Sequence, residues 1–279
     1  MDEFASYDGT KIGYHTMGAG RPLVCLPGGP GRSCEYFGDL GGLAASRQLI
    51  MPDTRGTGTS ADATDPVTYQ RDRLASDVEA LRAHLGLERM DLLGHSAASE
   101  VALLYAAAYP SRLDRLILLT PSLSALGIET TDAQQQAAME QWSAEPWYAG
   151  ARAAVEKAKA GDRSPETRRG YMPFLYGRWD ETTQSHASVG VSERALALQD
   201  EFWAEGALDP AATRRALSGL TAPVLIYAGG RDFLPTPEAA AQAVDHFPNA
   251  KLVVQPGAAH FPWLDDPAQF TAAISSFLG

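Results

Sequence analysis

A chain of 279 residues with 45% hydrophobic content is long enough to bury a sizeable core and sets the expectation of one large domain rather than two independent ones. Its formal net charge of −11 argues against nucleic acid or an anionic membrane surface as partner. No apolar stretch approaches the roughly 18 residues of a membrane span, and Met1-Asp2-Glu3 opens without the basic and apolar regions of a signal peptide, so a cytoplasmic location is expected. Cys25 and Cys34 supply neither a disulfide framework nor a zinc spacing, and none of the six histidines stands in a metal-binding arrangement, so no metal and no cofactor is expected.

Taken in chain order, residues 3–6 and 11–16 read as an opening hairpin-like pair. Apolar runs near 22–26, 48–52, 90–94, 114–119, 223–229 and 251–255 then read as buried strands. Helical patterns lie between them, the clearest placing Leu74, Val78, Leu81 and Leu85 on one face. This alternation predicts an α/β fold with a mostly parallel eight-stranded sheet flanked by helices. It is interrupted from 122 to 217, where helical patterns occur without a convincing strand. An inserted helical cap over 122–217 is expected, with 1–121 and 218–279 forming the core domain. Trp142, Trp147, Trp179 and Trp203 fall in this insert with Tyr148, Tyr171, Phe174, Tyr176 and Phe202. Such rings either hold the cap helices together or form a pocket ceiling that favours a partly apolar substrate. Trp142, Trp147, Tyr176 and Trp179, with His95 and Phe261, are the candidates for substrate contact.

The run Met90-Asp91-Leu92-Leu93-Gly94-His95-Ser96-Ala97-Ala98 sets a serine between an apolar strand and a small-residue helix. A sharp turn there would expose Ser96 and point the helix's first amides at the reaction centre. Asp232 follows the strand pattern Pro223–Gly229, and His260 follows Leu252–Gln255, giving the chain order serine, acid, histidine. A serine hydroxyl is a weak nucleophile at neutral pH, so His260 would accept its proton and Asp232 would hold the imidazole in the right tautomer. Each residue also has a plainer reading: Ser96 as a helix cap, Asp232 as a turn residue, His260 as a cap of the C-terminal helix. Acyl transfer further needs donors for an oxyanion. Pro27-Gly28-Gly29-Pro30-Gly31 after a strand lets backbone approach a ligand, so the Gly29 amide, with Gly28 as second choice, would pair with that of Ala97. A simple Gly-Pro turn is the alternative.

Together Pro27–Gly31, Asp53-Thr54-Arg55-Gly56-Thr57-Gly58-Thr59-Ser60 and Gly94-His95-Ser96-Ala97 make nearly the whole chain resemble an α/β-hydrolase of the proline-iminopeptidase-like branch. That family usually carries histidine where Pro27 stands and glycine where Ala98 stands. Its Asp-x-Arg-Gly-x-Gly-x-Ser motif is intact at Asp53–Ser60, which implies that Asp53 and Arg55 staple a supporting loop. The family holds the substrate's free amine with cap carboxylates, for which Glu140, Glu145, Glu156, Glu201 and Glu205 are available. With Pro27 altered, the expected function is a serine hydrolase cleaving an ester, lactone or amide of a small, partly hydrophobic substrate through an acyl-enzyme. The alternatives are a proline iminopeptidase, and a non-hydrolytic catalyst or binding protein on the same scaffold.

Overall fold

The computed structural model describes residues 1–190, 196–204 and 208–279. Eight strands form one sheet: β1 (Asp2–Ala5), β2 (Lys11–Met17), β3 (Pro22–Leu26), β4 (Gln48–Pro52), β5 (Met90–His95), β6 (Leu113–Leu119), β7 (Val224–Gly229) and β8 (Ala250–Gln255). Their order is β1-β2-β4-β3-β5-β6-β7-β8. β2 runs antiparallel to both its neighbours, and every pair from β4 onward is parallel. The strand positions expected from the apolar runs agree with these to within about a residue at each end, as far as fraying lets ends be defined.

The register aligns the carboxyl ends of the central strands. Gly94 lies level with Leu26 on one side and Leu118 on the other, and Leu119 lies level with Tyr227. Successive residues of a strand face opposite sides, so the sheet has two apolar faces. Val24, Leu92, Leu116 and Ile226 pack with Leu74, Val78 and Leu81 of α1 (Arg71–His84) and Val101 and Ala102 of α2 (Ala98–Ala108). Leu23, Cys25, Leu93, Ile117 and Leu225 face the other way, against Tyr36, Phe37 and Trp263 and the C-terminal helix Pro267–Leu278 with Phe270, Ile274 and Leu278. Both cysteines are free and buried.

Between β6 and β7 lie α3 (Asp132–Glu140), α4 (Tyr148–Lys159), α5 (Pro165–Tyr171), α6 (Glu181–Ser188), α7 (Leu196–Phe202) and α8 (Pro210–Leu217), with no strand among the described residues of 122–217. Their starts follow local capping chemistry: Thr131, Ser164, Asp180 and Asp209 each accept a hydrogen bond from an amide in the first turn. Three further helices follow β7: α9 (Pro237–Gln242), α10 (Pro262–Asp265) and α11, the C-terminal helix. Among the described residues no helix is long and apolar enough to cross a membrane.

Candidate active site

β5 ends in the tightest turn of the site. Ser96 has φ +55, a left-handed conformation that costs a non-glycine residue about 1–2 kcal/mol. It is held there because its amide donates to the Leu119 carbonyl at 2.9 Å and its own carbonyl accepts from the Ser122 amide at 3.1 Å. α2 starts just behind it, and the crossing of strand and helix is close at Gly94. A Cβ there would lie 2.8 Å from the Ala98 carbonyl oxygen and 2.9 Å from the Ala102 Cβ. Ala98 also lines a small, mostly apolar cavity of about 50 Å³, together with Pro27, Leu26 and Val101. The two departures from the family pattern, Pro27 and Ala98, thus face the same space.

The loops after β7 and β8 bring the other two residues to Ser96. His260 Nε2 lies 2.8 Å from Ser96 Oγ, and His260 Nδ1 lies 2.7 Å from Asp232 Oδ2. Asp232 is fully buried and its second oxygen accepts from the Leu234 amide at 3.0 Å. A carboxylate on Nδ1 selects the tautomer with hydrogen there, leaving Nε2 to accept from the serine hydroxyl. Gly229 allows the acid loop to lie against the histidine loop, since a Cβ on it would fall 2.0 Å from the Ala259 carbonyl oxygen. The Arg231 amide then bonds the Ala258 carbonyl at 2.8 Å, and the His260 amide bonds the Leu175 carbonyl at 3.0 Å. Asp265 accepts from the Ala259 and Gly177 amides at 2.9 and 3.0 Å, and burial pushes its carboxyl up to about 6.

A second chain of hydrogen bonds runs behind the serine. The Gly28 amide donates to Tyr36 Oη at 2.8 Å, and Tyr36 Oη lies 2.7 Å from His95 Nδ1. His95 Nε2 lies 3.0 Å from the His260 carbonyl oxygen, so it carries hydrogen, and Tyr36 donates to Nδ1. Burial, followed by the neighbouring His260 ring, pushes His95 well below the ordinary histidine range and keeps it neutral. This chain corrects the expectation for Gly28: its N–H is already engaged by Tyr36 and is not free for an oxyanion. The amides of Gly29 and Ala97 have no hydrogen-bond partner among the described residues, and both line the cavity in front of Ser96.

Two cavities meet at Gly29, Ser96, Tyr171, Leu175 and His260. The smaller, about 130 Å³, adds Arg32, Arg168, Gln199 and Phe261. The larger, about 610 Å³, adds Ser122, Ser124, Glu129, Trp203 and Leu234. Of the residues expected to touch substrate, Phe261 and His95 line the smaller cavity, His95 with both ring nitrogens engaged. Trp142, Trp147, Tyr176 and Trp179 line neither, which corrects that expectation. Trp142 and Trp147 pack with Met139, Val155 and Phe174 of the insert and with Phe233 of the loop after β7 in a third apolar cluster. Tyr176 is fully buried, stacked 4.8 Å from Phe261 with its hydroxyl 2.9 Å from His186 Nδ1, and Trp179 packs beside it. Tyr171, one of the insert's rings weighed as a pocket ceiling, does line both cavities, whereas Leu175, Arg32, Arg168 and Glu129 were not expected there. Their sequence surroundings are ordinary helix and loop, and no local signal marks them.

Glu140 accepts from the exposed Tyr148 hydroxyl, and Glu140, Glu145, Glu156 and Glu201 line neither cavity; Glu205 lies outside the described residues. The Asp53–Ser60 loop is a staple, as expected. Asp53 accepts from the Cys34 and Thr59 amides at 2.8 Å each, and the fully buried Arg55 pairs with Asp8 and Asp77. His15, Cys34 and Asp53 lie within 4.8 Å of one another, but the Asp53 oxygens are already engaged by these amides.

Residues 21–267 match the model of the α/β-hydrolase fold, and the chain belongs to that family. Among curated relatives it is 28% identical to a proline iminopeptidase of Levilactobacillus brevis, over all of this chain and 96% of that one. Among solved structures it resembles the proline iminopeptidase of Mycobacterium smegmatis (TM-score 0.75, 23% identity, 99% and 97% of the two chains). It also resembles an esterase from Exiguobacterium antarcticum (TM-score 0.70, 24% identity, 99% and 98%). At these identities the structural matches speak to the fold.

Proposed function

We propose that the chain is a serine hydrolase acting on an ester, lactone or amide of a small substrate, with Ser96 as nucleophile, His260 as general base and acid, and Asp232 as the residue that orients and charge-stabilises His260. The observation that carries this reading is the continuous run of hydrogen bonds at 2.8 and 2.7 Å from Ser96 Oγ through His260 to Asp232, at the ends of three parallel strands. Ser96 Oγ attacks the substrate carbonyl carbon as its proton passes to His260 Nε2, and the carbonyl π electrons move onto oxygen. The Gly29 and Ala97 amides donate to that oxyanion; removing one such donor costs about 10²- to 10³-fold in turnover. Collapse expels the leaving group, which takes the proton from His260. A water then repeats the sequence on the acyl-enzyme and frees Ser96. Residues 122–217 act as a cap that closes over the two cavities, and the chain works in the cytoplasm.

Intact-mass analysis after fluorophosphonate treatment tests this. One adduct on the native chain, absent from Ser96→Ala and His260→Ala, is expected. Absence of an adduct on folded native protein overturns the assignment.

A proline iminopeptidase is the second reading. It is favoured by the names of the relatives and by Glu129, the one carboxylate lining the two cavities among the described residues, which could meet a substrate amine.

A further inference from the structure

The two cavities that meet at Ser96 differ in charge. The larger has Arg71 and Glu129 on its walls, and Arg71 is compensated by the buried Glu100, 3.9 Å away. Among the described residues the smaller is lined by Arg32 and Arg168 and by no carboxylate. Among the described residues no carboxylate forms an ion pair with either arginine, whereas the buried Arg47, Arg55, Arg71 and Arg82 each face a carboxylate.

Neutral acceptors nevertheless fix both guanidinium groups. Arg32 Nε donates to the Val189 carbonyl at 3.1 Å and Nη2 to the His186 carbonyl at 3.0 Å, with the group lying 4.2 Å from the centroid of the Tyr36 ring. Arg168 Nη2 donates to Gln199 Oε1 at 2.7 Å, and Gln199 Nε2 is tied to the Pro30 carbonyl at 3.1 Å, next to the candidate oxyanion loop. Carbonyl and amide oxygens orient a guanidinium without cancelling its charge. Burial pushes Arg32 below the ordinary arginine range, the sign of a cation short of compensation. A desolvated charge without a partner is costly, and a bound anion would remove the cost.

We propose that the smaller cavity is an anion subsite, in which Arg32 and Arg168 take a carboxylate carried by the substrate a few carbons from the carbonyl that Ser96 attacks. The volume of about 130 Å³ accommodates roughly four water-sized groups, enough for a carboxylate and a short link. This names the substrate class within the serine-hydrolase reading and rests on it for the position of the reacting carbonyl. An acyl or leaving group ending in a carboxylate is preferred over its neutral counterpart, and an amine in that branch is disfavoured by like charge.

Calorimetric binding to the Ser96→Ala protein tests the subsite without turnover, with monomethyl glutarate as the anionic probe and dimethyl glutarate as its neutral match. The monoanion should bind about tenfold or more tightly, the worth of one charge-assisted hydrogen bond. Adding Arg168→Gln should remove most of that preference and leave the diester's affinity in place. Arg168 is tied to the Gln199 side chain, whereas Arg32 holds main-chain carbonyls of the His186–Val189 segment, so Arg168→Gln disturbs the fold less than Arg32→Gln would. Equal affinity for the two probes, or a preference that survives Arg168→Gln, overturns the proposal. Fluorophosphonate labelling separates the two readings: labelling without anion preference retains the hydrolase and rejects the subsite, whereas anion preference without labelling does the reverse.

Discussion

The loops at the carboxyl ends of β5, β7 and β8 and the helices between β6 and β7 are held by different forces. The loops are pinned by main-chain hydrogen bonds to neighbouring strands and to one another, such as Ser96 to Leu119 at 2.9 Å and Arg231 to Ala258 at 2.8 Å. The inserted helices are pinned by side-chain packing, around Trp142, Phe174 and Met139. Backbone bonds tolerate little displacement, whereas packed aromatic clusters tolerate substitution of like volume. The difference places the bond-making groups on the stiff part and leaves the chemical character of the pocket to the adaptable part.

Three substitutions probe that division. The largest effect is expected for Asp232→Asn, which keeps the shape of the loop but favours the wrong His260 tautomer. Turnover should fall about 10⁴-fold with an unchanged circular dichroism spectrum. A fall of less than tenfold would mean that another group orients His260. Next, Trp142→Ala should destabilise the chain by about 3–5 kcal/mol through the cavity it leaves, measured by urea unfolding. Turnover of the folded fraction should change far less than for Asp232→Asn. A loss of activity with no loss of stability would show that Trp142 acts at the site and not in the third apolar cluster.

The smallest effect concerns pH and the seam between the two regions. His186, on α6, places Nε2 2.7 Å from the Tyr36 carbonyl oxygen, and burial pushes its pKa down to about 4. The unfolded chain therefore takes this proton first. The stability it supports is complete above about pH 6.5 and is lost as pH falls toward about 4. Asp265, raised to about 6, acts in the opposite sense between its unfolded value and 6, because there the folded chain takes the proton first. Urea midpoints from pH 7 to 4.5 should fall less steeply in His186→Gln than in the native chain. Identical slopes would remove His186 from the account.

The six strands from β3 to β8 were legible because they are short, largely apolar runs bounded by glycine, proline or polar residues, as in Pro22–Leu26 before Pro27-Gly28-Gly29. Ser96, Asp232 and His260 could be singled out for a related reason: each directly follows such a strand, where a parallel sheet presents its ligands. The engagement of the Gly28 amide was not legible, because Tyr36 and His95, which create it, are brought together only by the parallel pairing of β3 with β5. The inserted aromatics misled for a different reason. Trp142 and Trp147 look alike as core or as pocket wall in a one-dimensional pattern, and only the packing of α3 and α4 against Phe174 and Phe233 sends them inward.

Local order therefore settled the sheet, the sharp turn at Ser96 and the identity of the three residues that meet there. Chain direction and alternating burial act over a few residues and are written in consecutive positions. The third dimension alone decided which amides stay free, which side chains face the cavities and where charge is left uncompensated. Arg32 and Arg168, some 136 positions apart, become neighbours of one cavity only when α5 and α7 fold over the ends of the strands, an outcome set by the shape of packed surfaces rather than by any run of sequence.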